Sequence, residues 1–310
     1  MKKCLVVYNP NSGKYNKEVT LPKIEKILNE YDYSVIIEKT KYKGDATSIV
    51  ANIDKCDLVV SIGGDGTFNE VMTGNFMRKD RIVLCHLPSG TTNDVGAMWG
   101  YSKNMLNNLK LALNGKVKRI DICTINDKPF VYSAGFGKFM NIPYETPREL
   151  KKRIGHLAYI REGARDFFRK VKLYDITYEV DNEKYRGLFS FALITNANRV
   201  AGINNFYKDI KLDDNKFEVL LCNITKLKDI VKTLYFFALY DASKIPGFYF
   251  YQTDNIKIKF NSPLKKPLCI DGESFDDMSG SYNIKIDHNV YVLMPKKNIN
   301  SLFVEKKKKL

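Results

Sequence analysis

The stretch DLVVSIGGDGTFNEVMTG, residues 57–74, decides the fold. An apolar run at 58–62 has the length and composition of a buried strand. It breaks into Gly63, Gly64, Asp65, Gly66 and Thr67, and the spacing then predicts a helix over 68–73. Glycines between a strand and a helix let backbone approach a ligand closely, often a phosphate received by amides at the helix start. The turn also carries the carboxylate of Asp65, which repels a bare phosphate, so any anion held there needs a counterion.

Working outward, residues 1 to about 123 alternate strand-like and helix-like segments. Strands are expected at 4–8, 34–38, 58–62 and 83–87, and helices at 21–29, 45–50 behind Asp45, 68–73 and 104–114, the last closed by Gly115. That alternation predicts a doubly wound α/β domain with a parallel sheet. From Arg119 strand follows strand, at 119–126, 130–136, 174–180, 184–195, 217–224, 255–260, 268–270, 282–286 and 290–294. Strands separated only by turns predict an antiparallel sandwich or barrel, here with helical patterns inserted at 149–171 and 226–240. The expected domains are 1–123, 124–294 and a tail, 295–310, that returns to the first domain.

The chain has 310 residues and a formal charge of +15. The length allows two domains with cores, and the charge favours polyanions such as nucleotides or an anionic membrane face. No apolar run reaches the roughly 18 residues of a membrane span, and the N-terminus lacks a signal-peptide pattern, so a cytoplasmic protein is expected. Cys4, Cys56, Cys85, Cys123, Cys222 and Cys269 are widely spaced and read as free thiols. The histidines at 86, 156 and 288 are isolated and receive no role.

Ligands of open α/β sheets sit at the carboxyl ends of the strands, and NPNSGK (9–14), GGDGTFNE (63–70) and PSGTTND (88–94) each follow an expected strand. Together they offer amides beside glycine, small hydroxyls and the point charge of Lys14, which suits a polyphosphate. The spacings match neither the Walker loop nor the dinucleotide fingerprint. Mg²⁺ between Asp65 and a triphosphate reconciles carboxylate and anion, because a hard dication takes both kinds of oxygen. Further along, the tripeptide Asp271-Gly272-Glu273 carries two carboxylates. Asp271 shares the face of Glu273 if the strand is regular, while Gly272 allows a bend or a hairpin turn.

The segments NPNSGK, GGDGTFNEV and PSGTTNDVG resemble the signature segments of the diacylglycerol kinase catalytic domain family, in its soluble bacterial lipid-kinase form. LCIDGE (268–273) resembles that family's DGE segment. The resemblance implies an α/β nucleotide-binding domain, a C-terminal β-sandwich and ATP in the cleft between them. It places the nucleotide on Asn9, Pro10, Asn11, Ser12, Gly13 and Lys14 in the first loop, and on Thr40. In the second loop it implies Gly63, Gly64, Asp65, Gly66, Thr67, Asn69 and Glu70; in the third, Ser89, Gly90, Thr91 and Asn93. It implies Glu273 as proton acceptor, with Asp271 and Asp65 beside the chemistry, and Mg²⁺ on Asp65, Asp94 and Asp121. A further structural magnesium is implied near Asp214, where Asn215 stands in place of the family's usual glycine. A homodimer is also implied, since relatives form them.

The expected function is an ATP-dependent lipid kinase, with diacylglycerol as acceptor and phosphatidic acid as product. Long-chain bases, monoacylglycerol and polyprenols stay open, as do a kinase for a soluble alcohol such as NAD and a noncatalytic nucleotide or lipid sensor. No nucleic-acid motif accompanies the charge. The 149–171 pattern sets Leu157, Ile160, Ala164, Phe167 and Val171 on one stripe beside Arg161, Arg165 and Arg169, with Glu162 and Asp166 placed to pair with the arginines. Such a face suits peripheral attachment to the inner, anionic membrane surface, and equally a helix packed on its own sandwich. The run at 306–309 adds positive charge.

Overall fold

The computed structural model describes residues 1–304 apart from 14, 139, 141, 143–161, 163–164, 167–169, 201–202, 205–206, 208–209, 227–228, 230–246 and 297–298. The chain divides into two compact units. The first comprises Met1–Ile122, Lys211–Asp214 and His288–Leu310; the second comprises Cys123–Ile210 and Asn215–Asp287. The segments 211–214 and 288–294, expected in the second domain, thus belong to the first.

The first unit is built from β1 (Lys2–Tyr8), α1 (Lys17–Glu30), β2 (Tyr33–Lys39), α2 (Asp45–Asn52), β3 (Leu58–Gly63), α3 (Asp65–Phe76), β4 (Val83–Pro88), α4 (Asp94–Met98) and α5 (Met105–Leu113). The strands are parallel in the order β2-β1-β3-β4. A further parallel neighbour pairs Val292 with Leu84 of β4. All six residues of β3 are buried, the pattern of a parallel strand covered on both faces. Two helices, α1 and α5, begin where a side chain satisfies a first-turn amide: Asn16 accepts from the Val19 amide at 3.3 Å and Asn104 from the Asn107 amide at 3.0 Å. The Asn16 cap starts α1 at Lys17, a full turn before the expected 21–29.

His86 on β4 is fully buried, with Nδ1 3.2 Å from Ser61 Oγ and its ring against Phe68 and Trp99. Burial lowers its imidazole pKa from 6.5 to about 3, because an ion is disfavoured away from water. The folded group stays neutral while the unfolded one takes up a proton below about 6.5, so stability is full above that pH and falls as pH drops towards 3. Below pH 6, the free energy of unfolding should lose roughly 1.4 kcal/mol per pH unit from this group. Urea titrations at several pH values test this, and His86→Asn should flatten the slope; an unchanged slope rules His86 out as its source.

Among the described residues, a two-stranded sheet, Arg199–Val200 with Ile203–Asn204, accompanies two larger antiparallel arrays in the second unit. One carries Glu183–Phe189, Tyr174–Val180 and Asn255–Phe260 beside the beginning of Ser281–Met294. The other runs Phe248–Thr253, Phe217–Cys222, Phe191–Thr195, Ser133–Gly137, Leu268–Ile270 and Glu273–Phe275. Alternate residues meet in one core: Ile176, Tyr178, Val180, Ile256 and Ile258 from the first sheet, and Ala192, Ile194, Val219 and Leu221 from the second. The expected combination of an α/β unit and an all-β unit therefore holds.

Several strand expectations change. The run 184–195 is two strands in different sheets, Glu183–Phe189 and Phe191–Thr195, divided at Ser190, whose amide and hydroxyl both donate to the Cys222 carbonyl. The run 130–136 is likewise interrupted, between Lys128–Phe130 and Ser133–Gly137. Conversely, 282–286 and 290–294 are one strand, Ser281–Met294. The 149–171 and 226–240 patterns lie almost wholly outside the described residues, as does the 306–309 run. Within the first, Arg165 pairs with Glu162 at 3.2 Å, one of the expected relieving contacts. Among the described residues, no helix is long and apolar enough to cross a membrane.

Candidate active site

In the first unit β1 lies between β2 and β3. Successive connections therefore leave β1 in opposite directions, and a crevice opens at the carboxyl ends of β1 and β3. The loops after β1, β3 and β4 meet there. The Asn9 amide donates to Ile62 O at 3.0 Å and the Ser89 amide to Gly63 O at 2.7 Å. Ser12 Oγ lies 3.2 Å from Ser89 Oγ, and Asn9 Nδ2 donates to Thr67 Oγ1 at 3.4 Å. Glycine is needed for the approach: a Cβ on Gly90 would lie 2.6 Å from Gly64 Cα, and one on Gly13, at φ +73°, 2.4 Å from Ser89 O. The result is a rim of backbone rather than side chains, the surface that phosphate-cradling loops present.

The second loop is shorter than expected, because α3 begins at Asp65 rather than at 68. Gly64 is its N-cap and supplies no side-chain cap; the Thr67 amide turns back to Gly64 O at 3.0 Å, and the positive dipole end of α3 lies at the crevice. The Asp65 carboxylate accepts the Asp94 amide at 2.9 Å and the Val95 amide at 3.2 Å. It therefore caps α4 across the crevice. The N-cap of α4, Asn93 at φ 54°, makes no cap of its own; it clasps Gly90 instead, accepting from the Gly90 amide at 2.7 Å and donating to the Gly90 carbonyl at 3.0 Å.

Other expected nucleotide residues surround this rim. Asn11 completes a turn on Asn9 Oδ1 at 2.9 Å, and the Thr40 amide donates to Tyr8 O at 3.0 Å. Glu70 accepts the Gly44 amide at 2.9 Å, tying α3 to the start of α2. Thr91 is exposed, and Lys14 lies outside the described residues. The Asn93 and Glu70 links were missed in the sequence because both join residues through backbone atoms, which leave no residue-type signature.

The acidic residues divide. Asp94 and Asp121 are buried, and the Asp121 amide donates to Leu212 O at 2.7 Å. Beside Asp214, the Asp213 carboxylate accepts the Val304 amide at 2.7 Å. Asn215 has φ 68°, a left-handed conformation that asparagine tolerates. Among the described residues, no three His, Cys, Asp or Glu side chains gather to hold a metal ion. A magnesium ion carried by phosphates commonly takes only one or two protein carboxylates, and two amide bonds do not exhaust the acceptor capacity of Asp65. These donors fit an ion arriving with a nucleotide better than a closed protein cage.

In the second unit, Ile270 pairs with Glu273 across a two-residue turn, Asp271 and Gly272, with φ of 47° and 80°. Of the geometries the sequence leaves open here, a regular strand with Asp271 and Glu273 on one face or a turn at Gly272, the chain adopts the hairpin turn. The Asp271 carboxylate is buried and accepts the amides of Val131 at 2.6 Å, Tyr132 at 2.9 Å and Ser133 at 3.0 Å. Glu273, the first residue after the turn, is exposed.

Residues 3–125 match the family model of the diacylglycerol kinase catalytic domain. Over that segment the chain is similar to this family. It is 27% identical to a diacylglycerol kinase of Staphylococcus saprophyticus over 98% of this chain and 99% of the relative. Identity to a diacylglycerol kinase of Bacillus subtilis is 28%, over 97% of this chain and 99% of that one. The fold matches a crystal structure of a diacylglycerol kinase from Bacillus anthracis with a TM-score of 0.78 at 23% identity, covering 94% of this chain and 97% of that one.

The match to a diacylglycerol kinase catalytic domain supports a phosphotransferase with an alcohol acceptor, and a kinase requires a nucleotide phosphoryl donor. The family match covers the three glycine-bearing loops and Asp121; Asp271 and Glu273 lie beyond it.

Proposed function

We propose that this protein is a member of the diacylglycerol kinase family and transfers the γ-phosphoryl group of ATP to a lipid hydroxyl, with diacylglycerol as acceptor and phosphatidic acid as product. The observation that carries the donor half is the backbone contact of Gly64 with Gly90 at the N-terminus of α3, which builds an amide-lined anion site. The acceptor half rests on relatives named diacylglycerol kinase that align over nearly the whole chain.

In this reading the first-turn amides of α3 and the loop at 9–13 hold the phosphate chain. Asp65 and Asp94 are the carboxylates that would hold Mg²⁺, which when bound neutralises phosphate charge. Asp65 also fixes α4 and, through it, the loop ending in Asn93. Glu273 accepts the hydroxyl proton as the lipid oxygen bonds to the γ-phosphorus and the bond to the β-phosphate bridging oxygen breaks, giving ADP and a phosphate monoester. Catalysis of this kind consists chiefly of positioning and charge stabilisation, which suits a backbone-built rim. The charge of +15 favours peripheral attachment to an anionic inner membrane face, where the substrate resides.

The test offers labelled ATP with diacylglycerol, monoacylglycerol, a long-chain base and a polyprenol in mixed micelles, and with NAD in solution. Label is expected in phosphatidic acid, at a rate at least about tenfold above any other acceptor, a difference of roughly 1.4 kcal/mol in transition-state binding. Transfer to NAD alone, or ATP binding with no transfer to any acceptor, overturns the proposal.

A further inference from the structure

The strand carrying Glu273 is poorly secured by its own sheet. Glu273–Phe275 is three residues long and lies at the end of the sheet order, paired with the equally short Leu268–Ile270. A short end strand of this kind has little ladder to fix it. Its turn, however, is anchored more deeply. Asp271 is only 5% exposed, and its two carboxylate oxygens take three consecutive amides, Val131, Tyr132 and Ser133. Its own amide donates to Ser133 O at 2.7 Å. Ser133 begins the strand Ser133–Gly137, which pairs with Cys269 and Ile270 through Gly135 and Ala134. The turn is therefore held to the adjacent strand by its side chain and its backbone together.

Resting on the reading of Glu273 as proton acceptor, we propose that Asp271 is a positioning residue, whose carboxylate fixes the hairpin turn so that Glu273 stands at one place. Three amide donors on one carboxylate make a strong charged contact, and Glu273 is two residues away along a turn of defined φ. Asp271 needs no contact with substrate to affect the rate, because a displacement of about 1 Å at a reacting group can cost about 10²-fold.

Asp271→Asn tests this with little disturbance of the turn, since Asn-Gly suits such hairpins while its NH₂ group can no longer accept an amide. The expected result is a kcat lower by about 10²-fold, as for a displaced reacting group, with the ATP dissociation constant unchanged within about twofold. Asp271→Asn combined with Glu273→Gln should be no slower than Glu273→Gln alone, because residues acting as a unit are not additive. Should Asp271→Asn fail to fold, Val131→Pro removes the donor of the 2.6 Å bond and should lower kcat in the same non-additive way. Parental turnover in the folded variant, or a double variant slower by the product of the two single effects, overturns the proposal. If Glu273→Gln keeps parental turnover, the base assignment fails and the positioning role falls with it; if only that variant is slow, the positioning role alone fails.

Discussion

Glu273→Gln should reduce turnover by about 10²- to 10⁴-fold, the range contributed by a positioned general base, while ATP binding stays within about twofold of the parent. Glutamine keeps the length and hydrogen-bonding reach of the side chain but cannot accept the proton. The site is exposed at the start of a strand, where surface substitutions ordinarily change stability by less than about 0.5 kcal/mol, so loss of fold should not contribute. Steady-state kinetics with diacylglycerol micelles give kcat, and calorimetric titration with ATP gives binding. Turnover within about tenfold of the parent, below the range for a lost base, removes Glu273 from the chemistry.

Asp65→Ala should lose both activity and stability, and Asp65→Asn should separate them. Alanine leaves the Asp94 and Val95 amides, now bonded at 2.9 Å and 3.2 Å, without their shared acceptor. Hydrogen bonds to charged groups contribute about 1.5–3 kcal/mol, so the denaturation midpoint should fall accordingly. Asparagine retains one acceptor oxygen for α4 but removes the negative charge. It should recover most of the stability and little of the magnesium-dependent turnover, which should stay about 10²-fold or more below the parent when the reaction draws on the charge of Asp65 more than on its capping of α4. Recovery of turnover along with stability would reduce Asp65 to a helix cap.

Much of this organisation is legible in the sequence for specific physical reasons. Tyr174–Val180 and Asn255–Phe260 have the bounds expected from their alternation, because a strand with one buried face records its register in residue type. The three rim loops are visible because glycine is required where backbones touch. What escapes detection has no local record. Ser190 ends one strand and introduces another in a different sheet without a glycine or proline. Asp287, His288 and Asn289 look like a turn yet lie within Ser281–Met294. Gly66 resembles loop but sits in the first turn of α3, and nothing near Asp271 signals that its partners are at 131–133.

The long strand Ser281–Met294 also bears on how the protein is made. Val292 lies beside Leu84, Tyr101 Oη donates to Leu293 O at 3.5 Å, and Gly115 has no room for a Cβ against Met294 O. The parallel sheet of the first unit is thus completed by residues far along the chain from β4. A chain stopped after residue 125 contains the segment that matches the catalytic-domain model but presents β4 as a bare edge. The unit of descent and the unit of folding are different pieces of polypeptide.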